Sequence, residues 1–219
     1  MSIFENLQDR IQNLFGSKKE NKFDTLKPEE DVDYLMNSPV PVGYSSIREQ
    51  QFIYQNLISG FNPLTESLCD LGAGRGDLYK FIKDLYGVEQ IGYTGIDQNP
   101  VMVDLAKRKY DLDLINDSYE TMKLPTRSWM VTSGLFSIKR NENFQDDLTY
   151  VLNNIDRMYN AATKAVSFNL LCPLSGLVSE GFLYIKPSDI IDTLIKKYRF
   201  VNIKHDYTDD IYTITIYKF

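Results

Sequence analysis

The sequence predicts an α/β fold: a doubly wound, mostly parallel seven-stranded sheet with an antiparallel last strand. Three observations carry this expectation. Short apolar runs alternate with helix-period segments from Tyr44 to the C-terminus. A glycine-rich turn, Gly72-Ala73-Gly74-Arg75-Gly76, joins the first strand to the helix behind it. A tight return through residues 207–210 forces the last strand to run against the one before it. The chain has 219 residues, 43% apolar and 25% charged, which fits one domain with an appendage.

The elements follow in order. Residues 1–43 form an N-terminal extension and residues 44–219 the α/β domain. The extension opens with an amphipathic stripe of Ile3, Phe4, Leu7, Ile11, Leu14 and Phe15, stopped at Gly16. The polar, charged stretch 17–33 reads as a linker. A helix as short as the first cannot stand alone, so it docks on its own domain or on a partner chain. In the domain, Ser46 and Glu49 form a capping-box start for a helix to about Ile58. Strand one is Ser67–Leu71, followed by a helix from about Gly76 to Tyr86. Strand two is Ile91–Asp97, and Asn99-Pro100 then starts a helix to about Tyr110. Strand three is Leu112–Ile115 and strand four Trp129–Ser133. Leu148, Val151, Leu152, Ile155, Met158, Tyr159 and Ala162 line one face of a helix between Asp146 and Ala162. Strand five at Ala165–Leu171, a helix at Pro187–Tyr198 and strands at Phe200–His205 and Ile211–Tyr217 complete the pattern.

Composition excludes several function classes. No apolar run reaches the length of a membrane span. Met1-Ser2-Ile3-Phe4-Glu5 has no basic-then-apolar signal segment, so a cytoplasmic location is expected. Cys69 and Cys172 have no metal-ligand spacing, and His205 is the only histidine, so no metal site is expected. A net charge of −6 argues against nucleic acid as partner.

The glycine turn narrows the ligand. The dinucleotide fingerprint wants a third glycine where Asp77 stands, and Asp70 beside the turn would repel a pyrophosphate. No Gly-Lys-Ser/Thr follows, so the turn is not a phosphate loop either. A ligand with a sulfonium and an α-ammonium but no phosphate suits an acidic turn, and S-adenosylmethionine is such a ligand. Asp97 stands about 20 residues beyond Gly76, at the end of strand two, where a carboxylate can accept from both ribose hydroxyls.

From about Gly43 onward the chain resembles the class I, Rossmann-like S-adenosylmethionine-dependent methyltransferases. Leu68–Gly76 looks like their first motif, and Gly95-Ile96-Asp97 with Asn99-Pro100 like their second. Asn116-Asp117-Ser118 matches the adenine-side position. Trp129–Gly134 with Phe136 is similar to the fourth-strand motif of a bacterial and phage subgroup of small methyltransferases. That subgroup also shows an aromatic-Ser-Ser opening, here Tyr44-Ser45-Ser46, and a His-Asp-Tyr, here His205-Asp206-Tyr207. The resemblance implies that Asp70, Gly72 and Gly74 face the methionine half of the cofactor. It further implies that Asp97 holds the ribose, that Gln98, Asp117 and Ser118 flank the adenine, and that Ser133 and Gly134 line the sulfonium side. Plainer roles for these positions are a solvated loop acid at Asp117 and a turn residue at Ser133.

The acceptor is a small molecule or a protein. The amino-methyltransferase signature Asp/Asn/Ser-Pro-Pro-Tyr/Phe is replaced by Ser133-Gly134-Leu135-Phe136, and no Pro-Cys pair serves cytosine chemistry. His205 and Tyr207 are candidates for a base or acceptor clamp. The alternative is that they tie the last two strands together. Asn169 and Cys172, at the end of strand five, are second candidates. One departure favours a rival reading, a methyltransferase-fold adaptor without turnover in a larger assembly such as a phage particle: Ser128 stands where the fourth-strand motif carries an acid. A partner chain or oligomer would then form through residues 1–40, and the location would be a virion.

Overall fold

The computed structural model describes residues 30–39, 42–173, 176 and 178–218. The expected amphipathic stripe and most of the expected linker lie outside these residues. Within them, α1 (Glu30–Asn37) precedes α2 (Ile47–Leu57), β1 (Ser67–Leu71), α3 (Asp77–Tyr86), β2 (Gly92–Ile96) and α4 (Pro100–Tyr110). The chain continues through β3 (Arg127–Thr132), α5 (Phe144–Ala161), β4 (Ala162–Leu171), α6 (Pro187–Tyr198), β5 (Val201–Lys204) and β6 (Ile211–Tyr217). The part of the expected linker from Glu30 onward is therefore helical. Among the described residues, no helix is long and apolar enough to cross a membrane.

The helix starts follow the capping chemistry of the sequence. Ser46 accepts from the Glu49 amide at 3.1 Å, while the Glu49 carboxylate closes onto the Ser45 amide at 2.6 Å. Asn99 accepts from the Val101 amide at 3.0 Å, with Pro100 in the first turn.

One six-stranded sheet has the order β2-β1-β3-β4-β6-β5. β1 pairs in parallel with β2 and β3, and β3 in parallel with β4. β6 runs antiparallel between β4 and β5. Side chains alternate across the sheet, giving two cores. On one face Leu68, Trp129, Val131 and Ala165 meet Ile53, Tyr54 and Leu57 of α2 and Leu78 and Ile82 of α3. On the other, Leu71, Met130, Val166, Phe168 and Ile214 meet α5 and α6 through Val151, Ile155, Met158, Ile190 and Leu194.

The sheet has six strands, not the expected seven. Leu112–Ile115 makes only a single bridge, Ile96 to Ile115. Its apolar residues pack on glycines rather than extend a ladder. A Cβ on Gly76 would lie 2.6 Å from Leu112, and one on Gly95 would lie 2.4 Å from Leu114. The Leu112 amide also closes α4 by donating to the Ala106 carbonyl at 3.3 Å. One residue, Ile115, is left to pair with β2.

Candidate functional site

The C-terminal ends of the parallel strands carry the site, as in other open α/β sheets. After β1 the chain turns through Gly72, Gly74 and Gly76, all at positive φ. Gly76 has φ +79 and touches Leu112, so any side chain here would be both strained and crowded. The turn is held from within. The amides of Gly72 and Ala73 donate to the Ile96 carbonyl, and that of Gly76 to the Ala73 carbonyl. The Gly74 amide donates to Asp97 Oδ2 at 2.7 Å.

Two acids define the charge of this half. Asp70 is buried and accepts from the Tyr93 hydroxyl at 2.7 Å. Burial pushes its carboxyl up to about 7; the Tyr93 hydrogen bond opposes this and the Asp97 charge adds to it. Asp97 accepts from the Asn99 amide at 2.9 Å as well as from Gly74, and burial outweighs both bonds to raise its pKa. Each of its oxygens keeps capacity for a further donor. Asn116 donates to the Asp97 carbonyl at 3.0 Å, which brings the 116–118 loop beside this acid. Gln98 and Asp117 are exposed, and Asp117 accepts from the Ser118 amide at 2.7 Å.

Behind the turn lies a cluster that the sequence did not reveal. Arg75, 2% exposed, pairs through Nε with Asp77 at 2.8 Å and donates to the Leu35 carbonyl of α1. Asp77 also accepts from Gln50 at 3.2 Å, Lys109 at 3.2 Å and the Tyr110 hydroxyl at 2.7 Å. Burial raises the Asp77 carboxyl, but Arg75, Tyr110 and Lys109 outweigh it and hold the group below the usual range. These partners come from α2 and α4, far away in sequence, so no local motif announces them.

The other half, at the ends of β3 and β4, is uncharged. The Ser133 hydroxyl lies 2.6 Å from the Tyr44 hydroxyl and accepts from Asn169 Nδ2 at 2.8 Å. Asn169 Oδ1 accepts from the Gly134 amide at 2.8 Å. Asn169 is paired in register with Thr213 of β6, whose hydroxyl meets that of Tyr207 at 2.6 Å. Burial pushes the Tyr207 hydroxyl up to about 12. Tyr44 was legible only as part of the Tyr-Ser-Ser opening, with no role attached.

The structure thus brings Asp70, Gly72, Gly74, Asp97 and Ser133 to one edge, with Tyr207 further along it. His205 stands at the same edge but on the outermost strand. It is exposed beyond β5, its ring 5.9 Å from that of Tyr212, four strand spacings or about 19 Å across the sheet from β1. Ser128 also lies away from the site. Its hydroxyl accepts from the Ser67 amide at 3.2 Å and its amide donates to the Ser67 hydroxyl at 3.1 Å, at the opposite end of β3. Five residue steps, roughly 16 Å, separate it from Ser133.

No protein-family model and no curated protein matches the chain. Solved structures do. Magnesium protoporphyrin IX methyltransferase from Synechocystis PCC 6803, solved with bound SAM, superposes with a TM-score of 0.57 at 12% identity, covering 96% of this chain and 90% of that one. The plantazolicin methyltransferase BpumL, with a triazolic desmethylPZN analog and SAH, gives 0.59 at 10% identity over 98% and 97%. Human N-acetylserotonin methyltransferase with SAM gives 0.56 at 15% identity, over 98% of this chain and 66% of that one. With its glycine turn after β1, its acid after β2 and its antiparallel β6 inserted beside β4, the chain has the class I, Rossmann-like methyltransferase fold.

Proposed function

We propose that this chain transfers a methyl group from S-adenosylmethionine to a small-molecule or protein acceptor. The observation that carries the reading is the chemistry of the glycine turn. Asp70 is a buried carboxylate beside the turn with no cation among its partners in the described residues, and a cationic ligand would supply one. The amides of Gly72, Ala73, Gly74 and Gly76 are already engaged within the protein, so the turn offers little to a pyrophosphate. A sulfonium cofactor with an α-ammonium fits this donor and acceptor set; a nicotinamide dinucleotide does not. The structural neighbours named above were solved with SAM or SAH, which supports the same ligand.

When bound, S-adenosylmethionine supplies an electrophilic methyl group. The chain's part is to hold it, to align the acceptor and to exclude water. Asp70 would face the methionine ammonium, with Gly72 and Gly74 against the same half. Asp97 would accept from the ribose hydroxyls, while Gln98, Asp117 and Ser118 would border the adenine. Ser133 and Asn169 would stand towards the acceptor side, with Tyr207 a clamp on its rim. The catalytic domain would span residues 44–219, with residues 1–43 left for a partner contact.

Calorimetric titration with S-adenosylmethionine and NAD tests the proposal. Micromolar binding of the former is expected, with Asp97→Ala weakening it by roughly 100-fold or more, the loss of about two charge-assisted hydrogen bonds. No binding at millimolar ligand would overturn it.

A further inference from the structure

Four side chains tie the segment between α4 and β3 to the loop between β3 and α5. Ser118 opens a tight turn, its carbonyl accepting from the amides of Thr121 at 3.2 Å and Met122 at 3.0 Å. Tyr119 and Glu120 ride on that turn. Arg140, on the loop after β3, reaches both of them. Its Nη1 donates to Glu120 Oε1 at 2.7 Å and its Nη2 to the Tyr119 hydroxyl oxygen at 3.0 Å. The guanidinium stacks 4.4 Å over the ring of Tyr150 on α5. The Tyr150 hydroxyl donates to the same Glu120 oxygen at 2.8 Å and meets that of Tyr119. Tyr119 is anchored in the core, whereas the Arg140 and Glu120 side chains are 32% and 36% exposed. An ion pair so open to water is worth little by itself, so it stays closed only while both loops are held in place.

The Arg140 loop in turn borders the uncharged half of the site. It begins at the Gly134 amide, which is fixed on Asn169. Ile138 bridges Phe182, with the Ser137 carbonyl accepting from the Leu183 amide at 2.9 Å and the Lys139 amide donating to the Gly181 carbonyl at 3.0 Å. The amides of Arg140 and Asn141 donate to one oxygen of the buried Asp147, at 3.2 and 3.0 Å. We infer that the bridge of Tyr119, Glu120, Arg140 and Tyr150 couples the cofactor side of the site to its acceptor side. Adenosine held against Asp117 and Ser118, as the cofactor reading above has it, steadies the 118–122 turn. The steadied turn keeps the bridge closed and stiffens the 137–141 loop. An acceptor then meets an ordered loop once the cofactor is bound, and by linkage an acceptor that holds the loop tightens the cofactor. Arg140 acts through the loop and is a positioning residue.

The test follows hydrogen exchange of the Arg140 and Asn141 amides in the full chain, free and saturated with 5′-methylthioadenosine, which carries the adenosine without the amino-acid end. Binding is expected to slow both amides by at least about fivefold, the lower end of the usual coupling between two sites. Arg140→Met keeps an unbranched stem over Tyr150 but removes the guanidinium. It should abolish the slowing at positions 140 and 141 while the amides of Thr121 and Met122 still slow. Glu120→Ala cuts the bridge from the other loop and should have the same result. Slowing at 140 and 141 that persists in both variants, or its absence from the unsubstituted chain with the probe bound, would overturn the inference. Failure of the unsubstituted chain to bind the probe would instead overturn the cofactor reading on which it rests.

Discussion

Asp70 and Asp77 flank the same glycine turn and are both buried, yet their surroundings are opposite. Asp77 has a guanidinium, an ammonium, a phenol and an amide around it, and its carboxyl is held below the usual range despite burial. Asp70 has one phenol, a second acid nearby and a carboxyl pushed up to about 7. On the proposed function, the difference separates a structural charge from a functional one. The protein compensates Asp77 itself, and in doing so ties α1, α2, α3 and α4 to the turn. It leaves Asp70 uncompensated, which costs stability unless a cation arrives from outside.

The contrast can be broken from either side, and removing the structural acid has the largest expected effect. Asp77→Asn strands the Arg75 guanidinium in a site where it is 2% exposed. A loss of about 3–5 kcal/mol in urea unfolding is expected, the usual result of unpairing a buried charge. Asp70→Asn should do the reverse. The folded carboxyl titrates near 7 and the unfolded one near 3.8, so between these values the folded state holds the extra proton. Stability of the unliganded chain therefore falls as pH rises through that window and stays low above it. Asparagine removes that penalty while still accepting from Tyr93, so the variant should be more stable by on the order of 4 kcal/mol at pH 8 and indistinguishable near pH 4. A variant less stable at pH 8 would show that Asp70 is compensated after all. The smallest effects mark the comparison's boundary. Ser128→Ala lies at the opposite end of β3 and His205→Ala four strands from the glycine turn, so each should change S-adenosylmethionine affinity by less than about twofold.

How much of this was legible depended on how local the signal was. The glycine turn, the acid after β2 and the caps at Ser46 and Asn99 are contiguous patterns, and each stands where the pattern implied. Leu112–Ile115 misled because its alternating leucines satisfy the strand period while packing on Gly76 and Gly95. Periodicity reports which side chains are buried, not whether the backbone finds a partner. The insertion of β6 between β4 and β5 follows from pairing across the whole sheet, which no single segment records. Ser128 was weighed for the acid it lacks, but only the register of β3 reveals that it faces Ser67 at the other end. Tyr44 and Ser133 are 89 positions apart and meet through the fold alone.

The central claim is that Asp70 is kept without a cation so that the cofactor can supply one. Titrating S-adenosylmethionine into the unsubstituted chain and into Asp70→Asn at pH 5.5 and pH 7.0 tests it most directly, below the range where the ligand's own amine loses its proton. If only the ionised carboxylate binds, affinity should rise roughly tenfold across this interval in the unsubstituted chain and should be nearly flat in the variant. Equal affinity at both pH values in the unsubstituted chain, or the same rise in Asp70→Asn, would contradict the account.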